Sequence, residues 1–332
     1  MMINSIKLVP LSHEHFFESL TCPSAGKMAC ELCGLLPDDF HGIRDDAEGP
    51  MRRDEEVPTV ASASYHAVPD AATAPCPSLI RDPDERVSIV TAWAEDRWSA
   101  ALRFERSAAC QGVGGFARRD IFAGDIILRI DRTLVVTQQT CCETLGELEA
   151  ARVPEFSCFV LWLVHERLRG DMSAFHGFVR TLPSPDDMSS AIYMDDAALS
   201  ALSVVTRDAC ARVRQRADAC LEYIAAARPA FARSQLDARL FDRALLTWAA
   251  SIVLSRAFCV GGRMVLLPLI DLVNSSRDCS TCELQFDARG EPVLRATSDV
   301  ACGVEVMISY GSEKCDAELL ASYGYSHKCE PG

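Results

Sequence analysis

Apolar positions along the chain follow three successive patterns, with a helical stretch between two strand-like ones. Residues 112–131, "GVGGFARRDIFAGDIILRID", combine a glycine turn with short alternating and continuous apolar runs, which are typical of strands. In residues 155–258 apolar side chains recur at helical spacing, as do Phe241, Leu245 and Trp248. The later segments "RMVLLPLIDLV", "CELQFD", "EPVLRAT" and "VEVMISYG" again predict short strands, separated by turns.

This order of elements predicts an α+β fold in which an all-helical insertion interrupts a domain of short strands. A parallel nucleotide-binding sheet would instead require strands and helices to alternate along the chain. Gly112, Gly114 and Gly115 lack the full context of a dinucleotide fingerprint, and a turn that only shapes a hairpin is their simpler explanation. We expect four segments: an arm at 1–84, a first strand-rich part at 85–150, the insertion at 151–260 and a second strand-rich part at 261–329.

The N-terminal arm is predicted to be largely disordered. From about Gly42 to Asp84 it is rich in Pro, Ala, Asp and Glu and has no sustained apolar period. A zinc site is the alternative for the Cys and His residues before this stretch, but their spacing matches no common zinc module, and we assign no metal. These residues are His13, His15, Cys22, Cys30 and Cys33.

Composition limits the environment and the partners. The 332 residues are 49% hydrophobic, which is enough for a large core, and no apolar run is long enough for a membrane helix. No secretory segment accompanies the 16 cysteines, so we expect buried thiols in a reducing compartment, cytoplasmic or nuclear. A net charge of -14 argues against direct nucleic-acid binding and favours a basic protein partner.

Five fragments then occur in a recognisable order: "GVGGFARRDIFAGDIIL", "LWLVHERLRGDMSAFHGFVRTLP", "SRAF", "LLPLIDLVNS" and "GVEVMISYGSEKCDAELLASYGY". In this order they resemble the SET-domain protein methyltransferases, in the branch typified by the Rubisco large-subunit methyltransferase. The resemblance covers roughly residues 86–327. It implies a SET domain of short strands that is split by a helical insertion and ends in a knot-like C-terminus.

The resemblance also implies a cofactor, S-adenosylmethionine, and the residues that bind it. Those residues are Gln111, Gly112, Val113 and Gly115 in the opening turn, Arg256 after the long insertion helix, and Asn274 with Ser275. Tyr310 and Tyr323 would be catalytic: Tyr310 would orient the acceptor nitrogen, while Tyr323 and Tyr325 would line the methyl-transfer channel. This chemistry needs alignment and exclusion of water, and it needs no metal.

The implied activity is methyl transfer to a protein side chain, most simply a lysine, and histidine is an alternative acceptor within the family. Two departures leave room for a non-catalytic SET module that binds a protein partner. Ser275 replaces the family's histidine, and Asp316 replaces its asparagine. The site residues also have ordinary structural explanations, as a turn asparagine, a helix-terminal arginine and buried strand tyrosines. The sequence does not predict the oligomeric state.

Overall fold

The computed structural model describes residues 76–107, 112–146, 152–231, 238–276, 279–311 and 314–325. Most of the predicted arm, including the histidines and cysteines considered for a zinc site, therefore lies outside the described residues, as does Gln111. Residues 76–84, however, belong to the packed structure. The Ile80 amide donates to the Arg180 carbonyl at 2.8 Å, and Asp82 caps helix α1, Pro83–Ala94. The packed chain thus starts before residue 85.

Short antiparallel strands precede and follow the main helical part of the chain. One sheet has the order β1-β4-β8-β7, a second has the order β2-β3-β9, and β5 pairs with β6 alone. The strands are β1 Trp98–Ala100, β2 Leu102–Arg106, β3 Val113–Ala117, β4 Ile126–Ile130, β5 Phe258–Val260, β6 Arg263–Val265, β7 Cys282–Phe286, β8 Pro292–Ala296 and β9 Glu305–Val306. Together with the helices, they confirm the predicted α+β class.

The chain after β9 passes between the two arms of an earlier loop. On one side, the Ile308 amide donates to the Asn274 carbonyl at 2.9 Å, and the Ser276 amide donates to the Ile308 carbonyl at 3.1 Å. On the other side, the Thr281 amide donates to the Met307 carbonyl at 2.8 Å. Both arms of the loop therefore bond to one segment, as the expected knot-like C-terminus requires.

Helices predicted from the apolar spacing lie between the two groups of strands. Helix α2, Gln138–Leu145, comes first. It is followed by α3 Glu155–Arg169, α4 His176–Val179, α5 Asp196–Ala201, α6 Val204–Ala227 and α7 Arg243–Arg256. Helix α8, Asp316–Tyr323, comes after the last strand. Helices α3 and α7 pack together at the centre, where Trp162 and Trp248 are fully buried. Helix α3 ends where Gly170 adopts a positive φ of 53°, a conformation that glycine reaches without steric cost.

The segment "RMVLLPLIDLV" is a strand only at its start, so the strand prediction fails beyond Val265. Pro268 has no amide hydrogen for a sheet, and Leu269 has a positive φ of 71°. A 3-10 turn follows at Ile270–Leu272. This break in the strand places Asp271 and the residues after it beside the C-terminal segment.

Every cysteine that the structure describes is a free thiol. Several are fully buried, and burial raises the pKa of Cys158 to about 12, so this side chain acts as a small apolar group. Within the described residues, no group of three His, Cys, Asp or Glu side chains could hold a metal ion. Nor is any helix in that part of the chain long and apolar enough to cross a membrane.

Candidate functional site

Asn274 is tied to the start of β3 and to β9. Its side-chain Nδ2 donates to the Val113 carbonyl at 3.1 Å and to Glu305 Oε1 at 2.7 Å. The second carboxylate oxygen of Glu305 accepts a hydrogen bond from the buried Ser107 hydroxyl at 2.8 Å. This network joins the start of β3 to Asn274, which are the two ends of the predicted cofactor site.

Gly114 allows the close approach within this network. A Cβ atom on this residue would lie 2.0 Å from Glu305 Oε1 and 2.9 Å from Asn274 Nδ2. Both distances are too short for non-bonded atoms, so a side chain here would displace the carboxylate or the amide. Gly114 and Gly115 lie within strand β3 and not in the predicted turn, and the absence of a side chain at Gly114 shapes the site.

Tyr310 is fixed at both its main chain and its hydroxyl. Its amide donates to Ser275 Oγ at 3.1 Å, and its hydroxyl donates to the Val273 carbonyl at 3.1 Å. Burial raises the pKa of Tyr310 well above its ordinary value of 10, and the nearby charge of Arg256 opposes this rise. The phenol therefore stays neutral at physiological pH.

Three tyrosines form a cluster around this point. The ring of Tyr323 stacks on that of Tyr310 with centroids 4.9 Å apart, and Tyr325 meets the Tyr310 ring edge-on at 6.5 Å. Gly324 separates Tyr323 from Tyr325 and adopts a left-handed φ of 79°, which turns the chain back after α8. The two predicted catalytic tyrosines are thus in direct contact.

Arg256 lies at the last position of α7 and is paired with a buried acid. Its Nη1 donates to Asp271 Oδ2 at 2.8 Å and to the Asp271 carbonyl at 3.2 Å. The Asp271 side chain is only 3% exposed, and burial raises its pKa although the Arg256 charge opposes this. The pair holds the guanidinium in one orientation, with its remaining N–H groups available for other acceptors.

Among the predicted site residues that the structure describes, most are joined by the contacts above. Val113 contacts Asn274, Ser275 contacts Tyr310, and the charge of Arg256 acts on Tyr310. Gly112 precedes β3, and Gly115 lies within it, packed on Leu102 and Val273. Gln111 lies outside the described residues.

Three polar residues of the site were not predicted from the sequence. Asp271 pairs with Arg256, Glu305 accepts from Asn274, and the Nζ of Lys314 donates to the Tyr323 hydroxyl at 2.8 Å. The sequence could have indicated Asp271, because a carboxylate inside the apolar run "LLPLIDLV" is expected to be buried and then needs a partner. No local pattern marked Glu305, since its contact with Asn274 depends on the pairing of β9 with β3.

The two departures from the family pattern have structural explanations. Ser275 uses its hydroxyl to hold the Tyr310 amide. Asp316 is the first residue of α8, where a carboxylate interacts favourably with the helix dipole. Neither substitution disrupts the tyrosine cluster.

Comparison with curated proteins finds two plant methyltransferases among the relatives. The chloroplastic fructose-bisphosphate aldolase lysine N-methyltransferase of Arabidopsis thaliana is 25% identical over 241 residues, 67% of this chain and 47% of that protein. The chloroplastic Rubisco large-subunit N-methyltransferase of Pisum sativum is 26% identical over 241 residues, 68% of this chain and 48% of that protein. The chain therefore spans about half the length of these relatives.

Solved structures show the same fold. Rubisco LSMT bound to AdoMet has a TM-score of 0.62 at 22% identity, over 73% of this chain and 56% of that one. The SET domain of LSMT bound to lysine and AdoHcy has a TM-score of 0.61 at 21% identity, over 74% and 58% of the two chains. The SET domain family itself matches residues 112–311, more than half of the sequence. The chain therefore belongs to the SET-domain family, and its likeness is to the Rubisco large-subunit methyltransferase branch.

Proposed function

We propose that this protein transfers a methyl group from S-adenosylmethionine to a lysine side chain of another protein. One relative is named as an aldolase lysine N-methyltransferase and another as a Rubisco large-subunit N-methyltransferase. Of the two solved structures of the same fold, one is bound to AdoMet and the other to lysine and AdoHcy. These facts describe those proteins. The same activity is proposed for this chain because of the contacts in its own site.

The observation that carries the proposal is the anchoring of Tyr310. Its amide is held by Ser275 and its hydroxyl by the Val273 carbonyl, while its ring stacks on Tyr323. A tyrosine that only fills a core needs its ring buried and its hydroxyl satisfied. Here Tyr310 is also bonded to Val273 and Ser275, the two residues that flank Asn274, next to the proposed cofactor site.

The residues present fit S-adenosylmethionine. The methionine part of this molecule carries a carboxylate and an ammonium group, and the Arg256 guanidinium suits the carboxylate. The Glu305 carboxylate and the Asn274 amide supply polar groups of the kind that an ammonium requires. Gly114 leaves room for both of these groups, since a Cβ there would meet each of them.

S-adenosylmethionine, when bound, supplies an electrophilic methyl group on a sulfonium. The chain's own residues align the acceptor and exclude water. Because the Tyr310 phenol stays neutral, it acts as a hydrogen-bonding dipole and not as a general base. Its hydroxyl proton is directed to the Val273 carbonyl, so the oxygen lone pairs remain to orient an acceptor nitrogen.

The acidic chain suits a protein substrate with a basic surface, because its formal net charge is -14. Histidine remains the alternative acceptor, and a protein-binding SET module without catalysis is the alternative from another class. Ser275 no longer favours the non-catalytic alternative, since its hydroxyl supports Tyr310.

The proposal is tested by incubating the purified protein with a cell extract and S-adenosylmethionine that carries a tritiated methyl group. We expect a labelled protein whose modified residue is lysine, and a Tyr310→Phe variant that labels it about a hundredfold more slowly or worse. The phenylalanine keeps the ring and its packing, so cofactor affinity should change less than about tenfold. Equal labelling by parent and variant would refute the role of Tyr310, and labelled histidine would replace lysine as the acceptor.

A further inference from the structure

Lys314 reaches into the tyrosine cluster. Its Nζ donates to the Tyr323 hydroxyl at 2.8 Å and lies 4.9 Å from the centroid of the Tyr323 ring. The same ring stacks on Tyr310, whose hydroxyl is anchored one residue before Asn274. A lysine amine of the chain itself therefore occupies the aromatic surroundings proposed for the substrate amine.

Lysine is rare in this chain, which makes the position notable. The 33 Lys and Arg residues include four lysines, Lys7, Lys27, Lys314 and Lys328, and among the residues that the structure describes Lys314 is the one lysine. Arginine could supply a positive charge on the face of a tyrosine equally well, and in other proteins it does so more often. What arginine lacks is a primary amine that can lose its proton and act as a nucleophile.

The main chain holds Lys314 in place. Its amide donates to the Gly311 carbonyl at 3.1 Å, and the next residue, Cys315, is the N-cap of α8. The Cys315 amide in turn donates to Glu318 Oε2 at 3.0 Å. Lys314 thus lies just before α8 and Tyr323 ends that helix, so the amine is held beside this tyrosine within one chain, which favours an intramolecular reaction.

We propose that Lys314 is a methyl acceptor of the protein's own site, modified within the same chain. This rests on the proposed function. The Lys314 ammonium first gives a proton to water. Its neutral Nζ then attacks the methyl carbon of S-adenosylmethionine, and the new N–C bond forms as the C–S bond breaks. The bonding electron pair stays on sulfur, so the sulfonium becomes a thioether and the methylated amine carries the positive charge. The products are methylated Lys314 and the demethylated cofactor.

The test is peptide mass spectrometry of the purified full chain before and after incubation with S-adenosylmethionine. We expect methylation on the peptide that contains Lys314, at a rate per chain that does not depend on protein concentration. Methylation already present as purified counts as support if Tyr310→Phe protein, purified in the same way, lacks it. The matched control Lys314→Arg keeps a cation but should show no methylation, and it should still bind the cofactor in a calorimetric titration.

The outcomes separate this inference from the proposed function. If the cofactor binds but Lys314 stays unmodified, or if methylation is found at another lysine, the inference is wrong while the proposed function survives. A rate that rises in proportion to protein concentration also overturns it, because the reaction is then between chains. If the parent binds no cofactor, the proposed function fails first and the inference fails with it.

A second readout needs no cofactor. With an amine-acylating reagent, Lys314 should react about fivefold faster in a Tyr323→Phe variant, because the hydrogen bond that shields its Nζ is gone. Equal acylation in parent and variant would mean that the amine does not rest on Tyr323, and the inference would be abandoned.

Discussion

The main-chain amide of Tyr310 donates to the hydroxyl of Ser275 at 3.1 Å. Ser275 stands where the resemblance led us to expect a histidine, and it holds the tyrosine that the proposed chemistry depends on. The departure thus has a defined contact, and the contact can be tested.

Replacing Ser275 by alanine should slow methyl transfer more than it weakens cofactor binding. The variant leaves the half-buried Tyr310 amide without its acceptor, at a cost of about 1–3 kcal/mol. We expect kcat to fall roughly tenfold or more, measured on whichever acceptor is labelled. Ser275→Thr keeps a hydroxyl and is the matched control. If alanine and threonine gave the same rate, the hydroxyl would have no positioning role.

Gly114→Ala should destabilise the protein through Glu305. The added Cβ would lie 2.0 Å from Glu305 Oε1, and overpacking of this kind costs about 1–3 kcal/mol. In a Glu305→Ala background most of this cost should disappear, because the group that the Cβ meets is gone. Urea unfolding of the four proteins in this cycle measures the coupling. Costs that simply add would show that the two residues do not meet.

Glu166 should make stability depend on pH. It is 2% exposed, and burial raises its pKa above the ordinary value of 4.5, although hydrogen bonding by Ser173 and the Arg169 charge oppose this. The folded protein therefore holds this proton more tightly than the unfolded chain does. Its contribution to stability is present below pH 4.5 and is lost as pH rises through the folded-state pKa.

A Glu166→Gln variant lacks this titration, so it should gain stability relative to the parent between pH 5 and pH 8. Urea unfolding of both proteins at the two values measures the change. The amide oxygen of glutamine can still accept from Ser173, so the hydrogen bond is kept in the control. An unchanged difference between the two proteins would mean that Glu166 titrates normally.

The start of the packed chain can be tested by truncation. Removing residues 1–75 should leave Tm within a couple of degrees, roughly the effect of less than 1 kcal/mol. Removing 1–84 also deletes the Asp82 cap of α1 and the hydrogen bond from Ile80 to Arg180. The loss of the cap alone costs about 1 kcal/mol, so Tm should drop by several degrees more. Equal Tm values for the two truncated chains would return the boundary to residue 84.

The spacing of apolar residues predicted elements such as helices, whose structure depends on residues close together in the sequence. Helix α7, Arg243–Arg256, was visible as apolar side chains at helical spacing, and Trp248 is fully buried as that spacing requires. The strand predicted after Val265 failed because Pro268 and Leu269 break the backbone pattern within an apolar run. The apolar residues after Val265 were interpreted as a strand, but a buried turn has the same apolar composition.

The site was predictable only in part. Tyr310, Tyr323 and Asn274 were reached through the resemblance, and the structure brings the two tyrosines into contact. The contact between Asn274 and Glu305 joins residues 31 positions apart, and it forms because β9 pairs with β3. No local pattern encodes such a contact. Lys314, by contrast, could have been singled out from the scarcity of lysine in the sequence.

The proposed function depends most on a cofactor site between the start of β3 and Asn274, and calorimetric titration with S-adenosylmethionine tests this site directly. We predict that the parent protein binds both S-adenosylmethionine and its demethylated product, each in a saturable way. Asn274→Ala should bind about 1–3 kcal/mol more weakly, because its hydrogen bonds to Val113 and Glu305 are lost. Gln285→Ala, which removes another hydrogen-bonded amide on β7, is the control and should bind as the parent does. A parent that binds neither molecule, or an Asn274→Ala variant that binds as tightly as the parent, would contradict this site.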